Sequence, residues 1–320
     1  MRIWLVVSVL LSALALAQQD QPTSSAPEST TSTKTETPTA EIKAADSSLP
    51  DLTPDANGAL SQEQMQRLFR VVADKDEANQ KTVRNYTYIE RQVENKLDGK
   101  GNVKSTEVKT YEILDIYGEQ VARLIAKDDK PLDPKDAAKE EEKIQKVIDK
   151  RKNESESDRK KRTEKEEKDR EEGRKFTREI ADAYKFKLVG TEMVGGREAW
   201  VIDGEPRPEF VPKMKEAKIL TKFHGRVWID KNDLQLAKLQ MECLDTISWG
   251  VFLARFHKGS RFTLEQTRVN DEVWLPAYLT AKVDARLALL KGLNVDLEQT
   301  YRDYKKFRAS TKIVGVGEVD

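Results

Sequence analysis

The residues that could carry metal or acid–base chemistry are few and scattered along this chain. Its two histidines, His224 and His257, both fall where the pattern predicts strands. A metal site would need further ligands such as Asp230 or Asp245 nearby, and neither HxH nor HExxH spacing is present. Carboxylates are too abundant for one pair to be singled out as acid and base. The sequence therefore predicts no metal site and no cofactor.

Nucleophilic catalysis has no more support. Ser248 and Ser260 lie outside any G-x-S-x-G pattern, and Walker and dinucleotide-binding motifs are missing. The one cysteine, Cys243, lies in a predicted strand and is expected to pack as a small hydrophobe. A single cysteine allows no intramolecular disulfide, so the fold must rest on a hydrophobic core. We assign no catalytic residue and expect a protein that is not an enzyme.

Large apolar side chains point instead to apolar binding. A near-continuous hydrophobic run is apolar on both of its faces, which requires cover on both sides: Trp249, Val251, Phe252, Leu253 and Phe256. Aromatic residues near the centre of the neighbouring strands are the candidates for lining an apolar ligand site: Trp228, Trp249, Phe252, Phe256, Trp274 and Tyr278. For each single residue, ordinary core packing remains the alternative.

Strands with a period of two must position these side chains. The alternation predicts strands at about 222–230, 234–244, 250–257, 260–269, 272–284 and 293–305. Earlier strands are predicted at about 86–97, 103–115, 120–126, 186–189 and 197–203. From Val273 to Val283 every second residue is apolar, while Trp274 and Tyr278 stand on the opposite face. One buried face over so many antiparallel strands predicts a strongly curved sheet covered by helix.

One amphipathic helix precedes the first strand. Ser61 and Gln64 have the spacing of a capping box, and Met65, Leu68, Phe69 and Val72 recur at helical intervals. We expect this helix to lie on the sheet.

A highly charged segment interrupts the strands at 131–175. Lys and Arg alternate there with Asp and Glu, and apolar residues at the a and d positions of a coiled coil are absent. Pairs at i,i+4 such as Glu142 with Lys146 support a helix. We predict a solvated helical arm that docks at its start and frays beyond, with docking of a protein partner as the alternative. Its interleaved charges, and a net charge of zero, exclude a nucleic-acid surface.

The two ends of the chain differ from the rest. Residues 1–17 combine a positive start, a short apolar run and a small-x-small site, which predicts a cleaved signal peptide. No cysteine stands directly after this site, so no lipidation signal is expected. Residues 18–60, rich in Ser, Thr and Pro, are expected to form a disordered spacer, and 310–320 a flexible tail. The folded part divides into a helix with a meander (61–130), the charged insertion (131–175) and the remaining strands (176–309).

The fold class is α+β and mainly β: a curved antiparallel sheet forming an unclosed barrel covered by helix, with a charged helical insertion. This order of elements, together with Gly225-Arg226-Val227-Trp228-Ile229-Asp230, resembles the LolA/LolB-like lipoprotein-carrier family. The resemblance covers roughly 61–129 and 176–309; the insertion departs from it. It implies an unclosed barrel whose helical lid encloses an apolar cavity for acyl chains, without naming a single functional residue.

The function expected from these observations is binding of a lipid or lipoprotein acyl chain by a non-catalytic periplasmic or secreted bacterial carrier or chaperone. The alternative is a structural or interaction module of the cell envelope that has no lipid ligand. In that case, a protein partner would dock on residues 135–174. No nucleic-acid partner and no membrane span after signal cleavage are expected.

Overall fold

A computed structural model describes residues 51–249, 254–287 and 293–307. The predicted signal peptide, most of the predicted spacer, the predicted tail and Phe252 lie outside these residues. Side chains are described for the same ranges except at 248, 249, 254–256, 285–287 and 293.

Three α-helices and one 3₁₀ helix are described. They are α1 (Gln62–Val83), α2 (Pro134–Lys152), α3 (Glu156–Ala183) and the 3₁₀ helix Glu216–Lys222. The capping box of α1 is confirmed: the Ser61 side chain accepts from the Gln64 backbone, and the Gln64 side chain accepts from the Ser61 backbone. Met65, Leu68 and Phe69 are buried, as the helical spacing predicts. Thus α1 is an amphipathic helix docked on the sheet.

Fourteen strands are described. They are β1 (Ala59–Leu60), β2 (Tyr86–Leu97), β3 (Val103–Ile116), β4 (Glu119–Lys127), β5 (Lys130–Pro131), β6 (Tyr184–Val194), β7 (Arg197–Pro206), β8 (Phe223–Asp230), β9 (Leu236–Cys243), β10 (Ile247–Trp249), β11 (Ala254–Phe256), β12 (Arg261–Val269), β13 (Val273–Leu287) and β14 (Leu293–Lys306). The strand predicted at 250–257 is instead the short antiparallel pair β10–β11, and β11 also pairs with β13.

All pairings are antiparallel and belong to one sheet. The strand order is β1-β6-β7-β8-β9-β12-β13-β14-β2-β3-β4-β5. Among the described strands this path begins at β1 and ends at β5, so the sheet does not close into a barrel. The long-range pair β14–β2 joins the predicted early meander to the later strands. The predicted fold class, a mainly β sheet left open and covered by helix, is confirmed.

The core lies between one face of this sheet and the helices. We call this the inner face and the opposite one the outer face. The largest buried cluster combines Leu68 of α1 and Phe176 of α3 with inner-face residues such as Ile202, Ile229 and Leu264. A smaller cluster around Trp228 and Trp274 lies on the outer face. Successive residues of a strand point to opposite faces, so neighbouring side chains of one strand belong to different clusters.

The charged insertion is a helical hairpin, and it reaches further than predicted. Its second helix, α3, continues past 175 to Ala183, and Phe176, Ala181 and Ala183 of this last part are buried. The helix α3 crosses the boundary predicted at 175, because it is charged and exposed at its start and apolar and buried at its end. The arm is docked at its start, where Ile144 of α2 is buried and Arg123 of β4 pairs with Glu141. It is also docked at its far end through α3.

Residues 51–60 also differ from the expectation of a spacer reaching 60. Leu52 and Leu60 are buried in the main core. Ala59 and Leu60 pair with Lys187 and Phe186 at the edge of β6. The folded part therefore begins before Ser61, because two leucines suffice to attach this segment to the core.

Candidate functional site

A cavity of about 880 Å³ lies between the inner face and the helices α1 and α3. Its size falls within the range of small-molecule sites. Its interior walls are mainly apolar: Phe69, Val72, Phe176, Ile180, Tyr184, Phe186, Ile202, Ile219, Leu220, Phe223, Val227, Ile229, Leu236, Leu239, Met241 and Leu264. Binding an apolar ligand there would be favoured by about 25 cal/mol for each Å² of apolar surface removed from water.

Two glycines on neighbouring strands form part of the wall. Gly204 and Gly225 are register partners of β7 and β8, and both line the cavity. A Cβ at Gly204 would lie 3.2 Å from Phe186, and one at Gly225 would lie 3.0 Å from the carbonyl oxygen of Gln240. A side chain at either position would lie too close to its neighbours, so the backbone itself forms the cavity wall at these two positions.

Charged residues also line the cavity, and none of them is buried; we call this partly exposed part of the lining the mouth. They come from the second half of α1 and the residue after it, from 162–174 of α3, from the end of α2 and from the start of β4: Asp76, Glu77, Lys81, Arg84, Glu119, Arg151, Arg162, Lys165, Glu166, Glu167, Asp169, Arg170 and Arg174. Arg174 pairs with Glu77 at 3.2 Å, and Arg84 approaches Glu166 at 3.9 Å. These pairs connect α1 and the residue after it to α3 at the mouth. The cavity is therefore apolar inside and charged at its mouth.

Ionisation adds little chemistry to this cavity. Burial and the nearby carboxylate of Glu205 raise the pKa of the Tyr184 phenol, so it stays neutral. His224 lies 3.4 Å from Glu205 (Nδ1 to Oε1) and does not line the cavity. Among the described residues no group of three or more His, Cys, Asp or Glu is placed to hold a metal ion. The arrangement can enclose and orient an apolar molecule.

Three of the six predicted lining residues lie on the outer face. Trp228 and Trp274 are each 4% exposed and pack with Ala199, Val201 and Ala237. Tyr278 is the register partner of Glu265, whose carboxylate pairs with Lys238 of β9. These three do not line the cavity. The prediction chose these residues for their aromatic side chains. Because successive residues of a strand point to opposite faces, it is the neighbours of Trp228, Val227 and Ile229, that line the cavity.

The other three predicted lining residues cannot be placed by side chain. Trp249 and Phe256 belong to β10 and β11, whose backbones pair, but their side chains lie outside the described residues, as does the whole of Phe252. Their role as lining residues stays a prediction.

The motif from Gly225 to Asp230 has a structural role on the outer face. Arg226 donates two hydrogen bonds to Asp203, and the Trp228 indole N–H donates to Glu192 at 2.7 Å. Asp230 is fully buried and accepts two hydrogen bonds from Arg197. Burial alone would raise the pKa of Asp230, but these bonds and two backbone N–H donors lower it. Even positions of the motif thus build an outer network, and odd positions face the cavity.

Sequence reasoning missed one polar residue of the cavity, Gln235. It lies in the turn between β8 and β9, lines the cavity and is only 6% exposed. No periodic pattern marks it, because it is the last of the five residues 231–235 that join β8 to β9 and are neither strand nor helix.

The comparisons with known proteins gave matches among solved structures. No family model matches the chain, and no curated protein sequence matches it. A putative outer membrane lipoprotein-sorting protein domain from Vibrio parahaemolyticus is 10% identical, with a TM-score of 0.33, over 78% of this chain and 95% of that one. A LolA superfamily protein from Nitrosomonas europaea is 9% identical, with a TM-score of 0.30, over 76% and 97%. The complex of MucA and MucB from Pseudomonas aeruginosa matches at 10% identity and a TM-score of 0.21, over 74% and 98%.

One of these similar structures is a LolA superfamily protein, from the family that the sequence resembles. Their identities near 10% and low TM-scores transfer no residue role and no activity to this chain. None of the described helices combines the length and the apolar character needed to cross a membrane.

Proposed function

We propose that this protein binds the acyl chain of a lipid or lipoprotein in the cavity under α1 and α3, as a non-catalytic carrier or chaperone. The observation that carries the proposal is the contrast between an apolar interior and a charged mouth. Such a site takes the chain of an amphiphile inside and leaves its polar end near water. The apolar start of the sequence, with its small-x-small site at 15–17, supports export to the periplasm.

Gentle purification followed by native mass spectrometry and lipid extraction tests this function. We expect bound lipid in the natural chain, and none after Leu239→Trp, which places a larger side chain in the cavity. The matched control is Gln240→Trp, one residue further on the same strand and exposed on the outer face. It should keep the lipid. A natural chain that carries no lipid and takes up no hydrophobic dye would contradict the proposal.

Docking of an envelope protein on the α2–α3 hairpin is the second candidate. The hairpin exposes a row of charges away from the cavity, including Lys146, Lys160 and Lys168, each more than 70% exposed. Deleting 135–174 would not separate the two functions, because α3 also lines the cavity. Reversing these three charges to Glu leaves the lining intact. Loss of partner capture with lipid retained would assign docking to the hairpin; unchanged capture would exclude these lysines.

A further inference from the structure

The polar residue Gln235 stands apart from the apolar walls of the cavity. It is 6% exposed and lines the cavity. Across 51–249, 254–287 and 293–307, no hydrogen bond joins its side-chain amide to another residue. The described buried side-chain atoms without a partner do not include its amide atoms, so the amide reaches the open space of the cavity. The cavity therefore holds a donor and an acceptor that no other side chain uses.

The position of Gln235 along the cavity follows from its neighbours. Leu236, the next residue, is the register partner of Ile229. The turn before it contacts Trp274, whose indole N–H donates to Asp233 at 2.8 Å. Trp274 is in turn held by its backbone to Asn79 of α1. These bonds connect the turn that carries Gln235, through Trp274, to Asn79 in the second half of α1.

Apolar side chains of β8 and β9 lie next to Gln235. Leu236 and Leu239 of β9 line the cavity, as do Val227 and Ile229 of β8. Ile229 pairs with Leu236 and Val227 pairs with Leu239, so these side chains belong to one stretch of the wall. Gln235 therefore offers a polar group directly beside an apolar wall.

The turn holds Gln235 in place before any ligand arrives. The backbone N–H of Asp230 donates to the carbonyl of Gln235 at 2.9 Å. The Asp230 carboxylate accepts from the backbone N–H groups of Asn232 and Asp233. Leu234 takes a positive φ of 54°, a conformation uncommon for leucine, and is buried. The backbone at Gln235 is therefore fixed, and only its side-chain torsions need to be ordered when a ligand binds.

We infer that the ligand of this cavity carries a carbonyl group directly beside its apolar chain, and that the side-chain amide of Gln235 donates a hydrogen bond to it. The inference rests on the proposed function and adds that Gln235 recognises the carbonyl of the acyl ester or amide. A plain alkyl or ether chain would leave the Gln235 amide unpaired. The few polar groups of an apolar site fix the orientation of its ligand, so Gln235 would set how deeply the chain enters.

Two lysophosphatidylcholines that share head group and chain length test this inference. One has a hexadecanoyl ester; the other has a hexadecyl ether and lacks the carbonyl. Their binding is measured by competition against a fluorescent fatty acid. We expect the natural chain to prefer the ester by about threefold to tenfold, the range of one net hydrogen bond. Gln235→Leu should remove this preference, and ether binding should stay equal or improve.

Matched variants keep the result interpretable. Gln235→Met gives a second apolar replacement, and thermal melting checks that both variants fold. Gln240→Leu, on the outer face of β9, should retain the preference for the ester. Equal binding of both lipids by the natural chain, or a preference that survives Gln235→Leu, would overturn the inference. Failure of both lipids to bind would contradict the proposed function itself.

Discussion

A partly buried carboxyl on the inner face gives a pH-dependent prediction at the residue scale. Glu90 of β2 accepts a hydrogen bond from Gln299 at 2.7 Å, and burial raises its pKa from the ordinary 4.5 to about 7. A carboxyl whose folded-state pKa is raised destabilises the fold once it ionises. This cost is absent below the unfolded pKa, grows as pH rises from 4.5 towards 7 and is complete above 7.

Glu90→Gln should therefore stabilise the protein above pH 7 and change little near pH 4. The expected gain in the free energy of unfolding is at most about 3 kcal/mol, from the size of the pKa shift. Urea unfolding at the two pH values measures it. Glu164→Gln, an exposed position of α3, is the control and should show no such pH dependence. An equal change at both pH values would mean that packing, not ionisation, is responsible.

Residue type alone does not show on which face of the sheet a side chain lies. The sequence pattern placed Trp274 and Tyr278 opposite the apolar face of β13, and the structure confirms that parity. Choosing them as lining residues for their aromatic rings contradicted the pattern. Gln235 could not have been found in this way, since its burial and lack of a partner arise only when the turn meets the cavity.

At the scale of elements, the ion pairs between α1 and α3 should control ligand exchange. The side chains of Arg174 and Glu77 are partly exposed. Such an ion pair stabilises a fold by at most about 1 kcal/mol and is screened by salt. We expect Glu77→Ala, or added salt, to speed release of a fluorescent fatty acid severalfold with little change in melting temperature. Stopped-flow release measures the rate.

Glu164→Ala on the exposed side of α3 serves as the matched control for this prediction. Its carboxylate lies 3.9 Å from Lys160 of the same helix and does not connect α1 to α3. Release from this variant should match the natural chain. If Glu77→Ala and Glu164→Ala behave alike, the connection across the mouth does not limit exchange.

The elements themselves were largely predictable. Period two located β2, β3, β4, β12, β13 and β14, and the capping box located the start of α1. The end of α3 was not predictable from charge. The charged part and the buried part form one uninterrupted helix, so composition changes at 175 while the helix continues to Ala183.

At the scale of the whole molecule, the first described residues should contribute to stability. Leu52 and Leu60 are buried, and β1 covers part of the β6 edge. A chain beginning at 61 should lose about 2–5 kcal/mol of unfolding free energy relative to one beginning at 51, mainly from the two leucines. Chemical denaturation of both chains measures the difference. Equal stabilities would show that residues 51–60 only rest on the surface.

The pairing of β2 with β14 has a consequence for how the chain folds. Lys96 pairs with Val295 and Thr87 with Lys305, so the two strands meet only after nearly the whole chain has been made. Contacts between such distant residues slow folding, because a long loop must close first. The meander β2–β4 can form early, but the edge of β2 that faces away from β3 stays unpaired until β14 has been synthesised. A chain lacking β14 would expose that edge and would be prone to edge-to-edge aggregation.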